Sequence, residues 1–340
     1  MQLREHVPLA PYTTFGIGGP ARWFAEAADE SAILDAVRFA RERGLPLFTL
    51  GGGSNLLVSD HGFPGLVLHI ALKGIEQSDS LFRAAAGEPW DTFVSLAVSQ
   101  NCAGIECLAG IPGTVGGTPV QNVGAYGQEV AETIVNVRAL DTTTLVFVDL
   151  PPAACGFTYR QSIFNSSQRG RYIVSRVDFR LRQNGSPTLS YADLKRYFQN
   201  HPHSPDLKEV SATVREIRHS KGMLIVPGDA DCRSAGSFFR NPVVTDAHYA
   251  RIAAEFAVPV PRYPAGEGHV KLPAAWLLDQ AGFHKGYTLG SAGISTRHTL
   301  ALINRGHASA HDILTLRDQI TAAVEEKFQI HLEPEPVWLE

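Results

Sequence analysis

Hydrophobic positions in the first hundred residues alternate between helical spacing and short strand-like runs. Residues 31–44 carry apolar side chains at intervals of three and four and end at Gly44, which predicts an amphipathic helix. The apolar run LPLFTL (45–50) follows and predicts a strand. Residues 91–100 predict a second helix. The N-terminal part therefore begins as a small α/β unit.

The middle of the chain is richer in β-branched residues. Residues 67–70 and three later runs predict strands, and those runs are IVNVRALD (134–141), TLVFVDL (144–150) and YIVSRVDFRL (172–181). The polar stretch QNHPHSPDL (199–207) contains two prolines and is the best linker candidate. Residues 209–222 then predict a helix.

The C-terminal part mixes both patterns again. AAWLLDQAG (274–282) predicts a helix and TLALIN (299–304) a strand. Residues 309–328 predict a long amphipathic helix, because the apolar residues from Ile313 to Phe328 fall on one face. The tail IHLEPEPVWLE predicts a final strand. The whole pattern indicates an α+β protein.

Composition excludes several classes of protein. The 340 residues are 44% hydrophobic and 19% charged, with a net charge of −4, which gives no electrostatic footprint for nucleic acid or an anionic membrane. The start MQLREHVPLA lacks the layout of a signal peptide, and no apolar run is long enough to span a membrane. The four cysteines lack paired CxxC spacing, so we expect reduced thiols. These features predict a cytoplasmic protein.

Two glycine-dense segments stand out as candidate binding loops. LGGGSNLLVSD (50–60) follows the predicted strand 45–50, and AGIPGTVGGTPVQNVGAYG (109–127) follows the predicted helix 91–100. Glycine at this density lets backbone N–H groups approach an anion closely. The pair predicts a large phosphate-bearing cofactor held from two sides, in preference to glycine-rich turns without a ligand.

Other candidate motifs are weaker. Gly16, Gly18 and Ala21 fit GxGxxA, but no strand precedes them and Pro20 stands where a helix should open, so we reject a dinucleotide fingerprint. The sequence contains no GK[ST] phosphate loop and no HExxH pair. We interpret His201 and His203 as solvated loop histidines and expect no metal site.

Seven sequence motifs occur in the same order as in one known protein family. They are TTFGIGGPA (13–21), LGGGSNLLV (50–58), AGIPGTVGGTPVQNVGAYG (109–127), YRQSIF (159–164), AGSFFRNP (235–242), KLPAAWLLDQAG (271–282) and LEPE (332–335). Together they resemble the UDP-N-acetylenolpyruvoylglucosamine reductases, and the resemblance covers nearly the whole chain.

The resemblance implies a fold and a division into domains. It implies the FAD-binding fold of the vanillyl-alcohol oxidase and p-cresol methylhydroxylase type, followed by a C-terminal substrate-binding α+β domain. We expect two FAD-binding subdomains over 1–65 and 66–215, a substrate-binding domain over 216–325, and a C-terminal strand over 326–340 that returns to the active site. A monomer is the expected state.

The resemblance also implies non-covalent FAD and assigns residues to it. The expected cofactor contacts come from both glycine-dense segments and one strand residue, and they are Gly51, Gly52, Gly53, Ser54, Asn55, Ile111, Pro112, Gly113, Thr114, Gly116, Gly117, Asn122, Gly124, Ala125 and Ile173. The GGGSN segment and residues 111–117 would hold the pyrophosphate, and residues 122–125 would lie along the flavin.

The implied reaction is the NADPH-dependent reduction of an enolpyruvyl ether of UDP-N-acetylglucosamine to UDP-N-acetylmuramate, a step of peptidoglycan synthesis. Ser237 matches the general acid, Arg160 the cation on the substrate carboxylate, and Glu335 a hydrogen-bonding group at the developing enolate. Glu333 competes with Glu335, because strand alternation would place both on one face. A buried loop serine, a surface ion pair and a solvated tail are the structural alternatives for the three.

Five further residues match substrate-binding positions. Lys221 matches a lysine at the anionic end of the substrate, although a longer path follows it here, which we expect to be a surface loop. Asn241 matches a substrate-binding asparagine, and Tyr263 and Lys271 match contacts to the UDP portion, with surface packing as the alternative. Tyr191 resembles the loop tyrosine of the longer family type, or else a staple at a helix start.

Two other functions remain open on the sequence. One is an FAD-dependent oxidase of the same fold that passes electrons to oxygen. The other is a non-catalytic protein that binds a nucleotide sugar or flavin. The combination of Ser237, Arg160 and Glu335 favours the reductase over both.

Overall fold

The computed structural model describes every residue from Met1 to Glu340, and the chain forms two compact units. The first unit comprises Met1–Val7, Pro20–Gly53 and Phe63–Ser220, and the second comprises Pro8–Gly19, Ser54–Gly62 and Lys221–Glu340. Two short N-terminal segments thus belong to the C-terminal unit.

The chain contains eight α-helices. They are α1 (Glu30–Glu42), α2 (Trp90–Ser99), α3 (Pro152–Cys155), α4 (Ala192–Phe198), α5 (Leu207–Ser220), α6 (Asp246–Ala254), α7 (Ala274–Gln280) and α8 (Ala310–Phe328). None of them is long and apolar enough to cross a membrane.

The strands are short and numerous. They are β1 (Leu3–Pro8), β2 (Pro20–Ala27), β3 (Leu47–Leu50), β4 (Leu56–Val58), β5 (Phe63–Ile70), β6 (Ile75–Ser78), β7 (Leu81–Ala85), β8 (Cys102–Ala103), β9 (Gly124–Ala125), β10 (Gln128–Glu129), β11 (Ile134–Asp141), β12 (Val146–Leu150), β13 (Tyr172–Arg180), β14 (Arg182–Gln183), β15 (Val243–Thr245), β16 (Tyr263–Pro264), β17 (His269–Lys271), β18 (Thr288–Leu289), β19 (Ala292–Ile294), β20 (Leu302–Asn304) and β21 (Val337–Leu339).

The first unit is built on two larger sheets. One has the order β1-β2-β5-β3, in which β5 runs parallel to both β2 and β3. The other is antiparallel between neighbours in the order β12-β11-β13-β7-β6. Helix α1 begins where the Asp29 carboxylate accepts from the Ala32 amide at 2.8 Å, and it buries the apolar face that includes Ile33 and Val37. The predicted helices and strands of this part are confirmed.

The second unit has smaller sheets around its own core. They have the orders β15-β17-β16, β18-β19-β20 and β21-β4, and the last pair is parallel. Helix α8 packs Ile313, Leu316 and Ile320 into this core, which confirms the predicted amphipathic helix. Its start is fixed by a Ser309–Asp312 capping box, and the Asp60 carboxylate accepts from the Ala310 amide at 2.8 Å.

Three expectations differ from the structure. The tail is a strand only over Val337–Leu339, because Pro334 and Pro336 interrupt the segment before it. Residues 199–207, the expected linker, join α4 to α5 inside the first unit, since α5 buries Val210 and Val214 in the core of that unit. Strand β5 crosses the expected boundary at residue 65 and belongs to the first of the two large sheets.

The rejection of a dinucleotide fingerprint is confirmed. Strand β1 does precede Gly16 and Gly18, contrary to expectation, but they are followed by strand β2 and not by a helix. The glycines here serve close packing instead, because a Cβ atom on Gly19 would lie 2.2 Å from the Asp60 carbonyl oxygen.

Candidate active site

Parts of the two glycine-dense segments, Gly51–Gly52 and Gly113–Thr114, lie against each other in the first unit. A Cβ atom on Gly52 would lie 2.6 Å from the Gly113 Cα, and one on Gly51 would lie 2.9 Å from the Thr114 Oγ1. Glycine is therefore required at residue 52 for the backbones to approach. The structure therefore brings residues of the two predicted binding segments together at Gly51, Gly52, Gly113 and Thr114.

Three backbone amides of the 109–127 segment donate hydrogen bonds within the protein. The Val115 amide donates to the Glu88 carbonyl at 2.9 Å, the Gly116 amide to the Ala86 carbonyl at 2.8 Å, and the Gly117 amide to the Thr114 carbonyl at 3.0 Å. A Cβ atom on Gly116 would lie 2.5 Å from the Ala86 Cβ. Gly116 is thus needed for packing, and the amides of residues 115–117 are hydrogen-bonded within the protein.

Asn122 is buried, and its side chain is fully engaged within the protein. Its Nδ2 donates to the Glu129 carboxylate at 2.7 Å and to the Thr158 carbonyl at 3.1 Å, and its Oδ1 accepts from the Ala131 amide at 3.1 Å. Asn122 therefore fixes the β9–β10 hairpin, which carries Gly124 and Ala125.

Ile173 lies in the core of the first unit. It stands opposite Leu140 in the β11–β13 pair and is 2% exposed. An apolar, buried residue at this position supports the sheet beneath the candidate cofactor segment.

Arg160 is placed over the glycine segment by its local structure. A Cβ atom on Gly124 would lie 3.2 Å from the Arg160 Nη1, so the absent side chain leaves room for the guanidinium. The buried Ser162 donates to the Val120 carbonyl at 2.6 Å, and Asn165 donates to the Arg160 carbonyl at 3.2 Å. Arg160 itself has a left-handed φ of 57°, and it is half-buried with no carboxylate ion pair. The alternative of a surface ion pair does not describe it.

Ser237 and Glu335 lie on paired segments of the second unit. The Glu335 amide donates to the Phe238 carbonyl at 2.8 Å, and Phe239 and Pro334 form an antiparallel bridge. Phe238 and Phe239 are buried, and both Ser237 and Glu335 are half-buried. The structure therefore brings the predicted acid and the predicted carboxylate into one local arrangement.

Glu333 occupies a different environment from Glu335. Its side chain is 72% exposed and lies 3.8 Å from the Arg240 guanidinium. Glu335 is instead held beside Asn55 of the second unit, which donates to its carbonyl at 3.4 Å and accepts from the Val337 amide at 3.0 Å. The alternation argument that made the two equivalent does not apply, since this segment is not a regular strand.

Tyr263 and Lys271 stand directly opposite each other in the β16–β17 pair. Tyr263 is 56% exposed and Lys271 is half-buried. Asn241 lies just before β15, whose Val243 is also opposite Lys271, and its Oδ1 accepts from the Ala274 amide at 2.8 Å. These three predicted substrate contacts therefore lie at the same end of the β15-β17-β16 sheet.

The segment after Lys221 is anchored by ion pairs. Arg297 pairs with Asp229 and, at 2.9 Å, with Asp231, whose carboxylate also accepts from the Thr296 hydroxyl at 2.6 Å. Cys232 is buried within the segment. The segment is irregular and partly exposed, with Ile225 47% exposed, and these ion pairs anchor it, while Lys221 is half-buried just after α5.

Tyr191 stands at the start of α4 and faces the glycine segment. It is 43% exposed, and its ring meets that of Tyr126 edge-on with centroids 5.3 Å apart. Both residues belong to the first unit, so Tyr191 lies beside the end of the 109–127 segment.

Comparisons with known proteins agree along the whole chain. The profile of the UDP-N-acetylenolpyruvoylglucosamine reductase C-terminal domain matches residues 227–339, and that of an FAD binding domain matches residues 21–147. The reductase of that name from Streptomyces coelicolor is 47% identical over 99% of this chain and 90% of its own. The reductase from Thermobifida fusca is 45% identical over 98% of this chain and 97% of its own.

A solved structure is similar over its full length. The crystal structure of the UDP-N-acetylenolpyruvylglucosamine reductase from Thermus caldophilus superposes with a TM-score of 0.69 at 26% identity, with all of both chains covered. The chain belongs to the UDP-N-acetylenolpyruvoylglucosamine reductase family. It has the mixed α/β fold of that family, with an FAD-binding domain and the family's C-terminal domain.

Membership of the UDP-N-acetylenolpyruvoylglucosamine reductase family decides among the three functions that the sequence left open. The chain is an FAD oxidoreductase of peptidoglycan synthesis. The oxidase and the non-catalytic binding protein are therefore set aside.

Arg218 is a residue of this reductase that the sequence analysis missed. It is 8% exposed on α5, its Nε donates to the Gly110 carbonyl at 3.0 Å, and its burial lowers the pKa of the guanidinium. Gly110 in turn donates to the Asp91 carboxylate at 2.6 Å. Arg218 thus fixes the start of the 109–127 segment. The sequence could have indicated a buried arginine here, because Arg218 follows Val214 by four residues and so lies on the apolar face of the helix.

Proposed function

We propose that this enzyme reduces the enolpyruvyl ether of UDP-N-acetylglucosamine to UDP-N-acetylmuramate, with non-covalently bound FAD and with NADPH as the hydride donor. The observation that carries the proposal is the match to reductases of this name over 99% of the chain, with both family domains present. The local arrangement of Ser237 and Glu335 supports it.

The glycine segments fit an FAD pyrophosphate. A phosphate group needs donors and no obstructing side chains, and the contact of Gly51 and Gly52 with Gly113 and Thr114 supplies both. We propose that these segments hold the pyrophosphate and that the fold is of the vanillyl-alcohol oxidase and p-cresol methylhydroxylase type. Bound FAD would supply hydride transfer from NADPH to the substrate.

Ser237 is proposed as the general acid. Hydride addition to the CH2 end of the enol leaves negative charge on the adjacent carbon, which then needs a proton. A serine hydroxyl is a weak acid, but it suffices for such a basic carbon when it is held in reach. The buried Phe238 and Phe239 hold the Ser237 backbone in place.

Arg160 and Glu335 are proposed to stabilise the same developing charge. The guanidinium of Arg160 makes no internal ion pair, so it is available to bind the substrate carboxylate in a bidentate manner. Glu335 would hydrogen-bond the developing enolate from its position beside Ser237, and we prefer it to Glu333, which is exposed and pairs with Arg240.

The UDP portion of the substrate is proposed to bind polar residues of the second unit. Tyr263, Lys271 and Asn241 lie at the same end of the β15-β17-β16 sheet. Lys221 would contribute a further cation. We propose that Tyr191 contacts the diphosphate, as in the longer family type with a tyrosine loop. Its exposure and its place at a helix start support this role.

The domain division is also a proposal. Within the first unit, the β1-β2-β5-β3 sheet would form one FAD-binding subdomain and the β12-β11-β13-β7-β6 sheet the other, and the chain from Lys221 onward would form the substrate-binding domain. We propose that the enzyme acts as a monomer.

Product identification tests the function. The FAD-loaded protein is incubated anaerobically with NADPH and the enolpyruvyl UDP-sugar, and the product is analysed by mass spectrometry in water and in D2O. In water we expect a product heavier than the substrate by one hydride and one proton, and in D2O we expect a solvent deuteron at the protonated carbon. An unchanged sugar in the presence of fully reduced flavin would overturn the proposed substrate.

A further inference from the structure

The turn between α4 and α5 brings together three groups that the reductase reaction does not use. His201 and His203 lie in the turn, and Glu209 lies in the first turn of α5. One ligand atom from each residue lies within 4.8 Å of the other two. The Glu209 Oε1 is 3.2 Å from the His203 Nε2 and 3.9 Å from the His201 Nε2.

His201 is oriented by contacts on its far side. Its Nδ1 lies 3.0 Å from the His203 carbonyl oxygen, which can only accept, so Nδ1 donates there and Nε2 is the ring nitrogen left for a ligand. Its ring also packs edge-on against Phe198, with centroids 5.3 Å apart. A histidine that donates its second N–H to a carbonyl is the usual arrangement of a metal ligand.

Glu209 is fixed with one carboxylate oxygen toward the histidines. Its Oε2 accepts from the Asp206 amide at 2.8 Å, and its own amide donates to the Asp206 carboxylate at 2.8 Å. These two hydrogen bonds hold the carboxylate in place, with its Oε1 3.2 Å from the His203 Nε2.

We propose that His201 Nε2, His203 Nε2 and Glu209 Oε1 bind one zinc ion, with water at the fourth position. Two imidazoles and a carboxylate suit zinc and disfavour calcium and magnesium, which prefer oxygen ligands. Tetrahedral zinc with bonds of about 2.0 Å places its ligand atoms about 3.3 Å apart. The Glu209–His203 distance of 3.2 Å matches this spacing, and the Glu209–His201 distance of 3.9 Å is longer and would have to shorten on binding.

The ion would connect the turn to the helix that follows it. It would join residues 201 and 203 to residue 209, and so restrain the segment between α4 and the start of α5. The proposal departs from the interpretation of His201 and His203 as solvated loop histidines, because sequence spacing alone did not include Glu209.

Zinc titration of the full-length, untagged, FAD-loaded protein tests the proposal. Isothermal titration calorimetry with zinc chloride is expected to show one equivalent bound with micromolar affinity. His201→Gln and His203→Gln are each expected to weaken binding at least about tenfold, since each removes one of three ligands. His203 is exposed, so its variant should fold normally.

The matched control is His331→Gln. His331 is also exposed and lies 3.4 Å from a single carboxylate, that of Glu325, without a second histidine. Zinc binding should not change in this variant. Absence of a stoichiometric site in the wild type, or an equal loss in His331→Gln, would overturn the proposal.

Hydrogen exchange reports on the structural consequence. Zinc is expected to slow amide exchange over residues 199–209 in the wild type and not in His203→Gln. Equal exchange with and without zinc in the wild type would contradict a restrained turn.

Discussion

Single residues of the second unit explain why the proposed chemistry centres on Ser237 and Glu335. Serine and glutamate are common residue types, but the Glu335 amide donates a hydrogen bond at 2.8 Å to the carbonyl of Phe238, which follows Ser237. The sequence could match both residues to a family pattern. It could not separate Glu335 from Glu333, because the separation depends on Pro334 and Pro336 breaking the strand and on Arg240 pairing with Glu333.

Removal of the Ser237 hydroxyl should separate the two halves of the reaction. In Ser237→Ala we expect NADPH to reduce the bound flavin at the wild-type rate, because no substrate proton is involved. Reoxidation by the enolpyruvyl sugar should slow by two orders of magnitude or more, about 10²-fold to 10⁴-fold for a lost general acid. Stopped-flow flavin absorbance measures both steps, and equal reoxidation rates in variant and wild type would exclude Ser237 as the acid.

The two glutamates should differ in the same assay. Glu335→Gln is expected to lower kcat by at least about tenfold, because the amide cannot reproduce the carboxyl at the developing enolate. Glu333→Gln serves as the matched control and should leave kcat within about twofold, since it removes only an exposed ion pair. The reverse ranking would reassign the catalytic carboxylate to Glu333.

At the scale of elements, the glycine segments were predictable and their supports were not. Glycine density alone indicated that residues 50–60 and 109–127 are binding loops. Their contact at Gly52 and Gly113, and the anchoring of Gly110 by Arg218 and Asp91, depend on tertiary packing. A short-range pattern does not contain contacts between segments that are far apart in sequence.

A methyl group at Gly52 should weaken FAD binding. In Gly52→Ala the new Cβ would lie 2.6 Å from the Gly113 Cα, so the backbones at residues 52 and 113 must move apart. We expect the purified protein to hold less FAD, measured by its absorbance ratio of flavin to protein.

Gly185→Ala is the matched control for that variant. Its Cβ would lie 2.9 Å from the Ala103 Cβ, a comparable clash in the same unit but at the β8–β14 pair. It should lower the Tm and retain FAD. Equal FAD loss in both variants would mean that the effect reports general destabilisation.

The β11–β13 pair carries a pH-dependent contribution to stability. The Arg171 guanidinium, which donates to the Asp141 carboxylate at 2.8 Å, lowers the pKa of Asp141 to about 2. The folded pKa is thus below the unfolded value of about 3.9, so the stabilisation is present above a pH of about 4 and is lost as the pH falls toward about 2.

Asp141→Asn should therefore lower the Tm by a few degrees at neutral pH, and the difference from the wild type should shrink as the medium becomes acidic. Thermal unfolding followed by circular dichroism across that range measures it. Asp318→Asn, which removes an exposed carboxylate paired with Arg317, should show no such trend. A difference that stayed constant with pH would rule out the ion pair as its origin.

At the scale of the whole molecule, the sequence predicted the α+β class and most long elements, such as α1, α8, β11 and β13. It did not predict that Pro8–Gly19 and Ser54–Gly62 belong to the second unit. Strand β4 pairs with β21, which lies at the other end of the chain, and no local pattern reports such a pairing. Nor did the pattern indicate that α5 completes the core of the first unit.

The most direct test of the account is anaerobic NADPH oxidation by the FAD-loaded protein, with and without the enolpyruvyl UDP-sugar. The account predicts sustained NADPH consumption that requires the sugar, with one product formed for each NADPH oxidised. A single equivalent of flavin reduction that the sugar does not extend, followed by turnover only when oxygen is admitted, would contradict it.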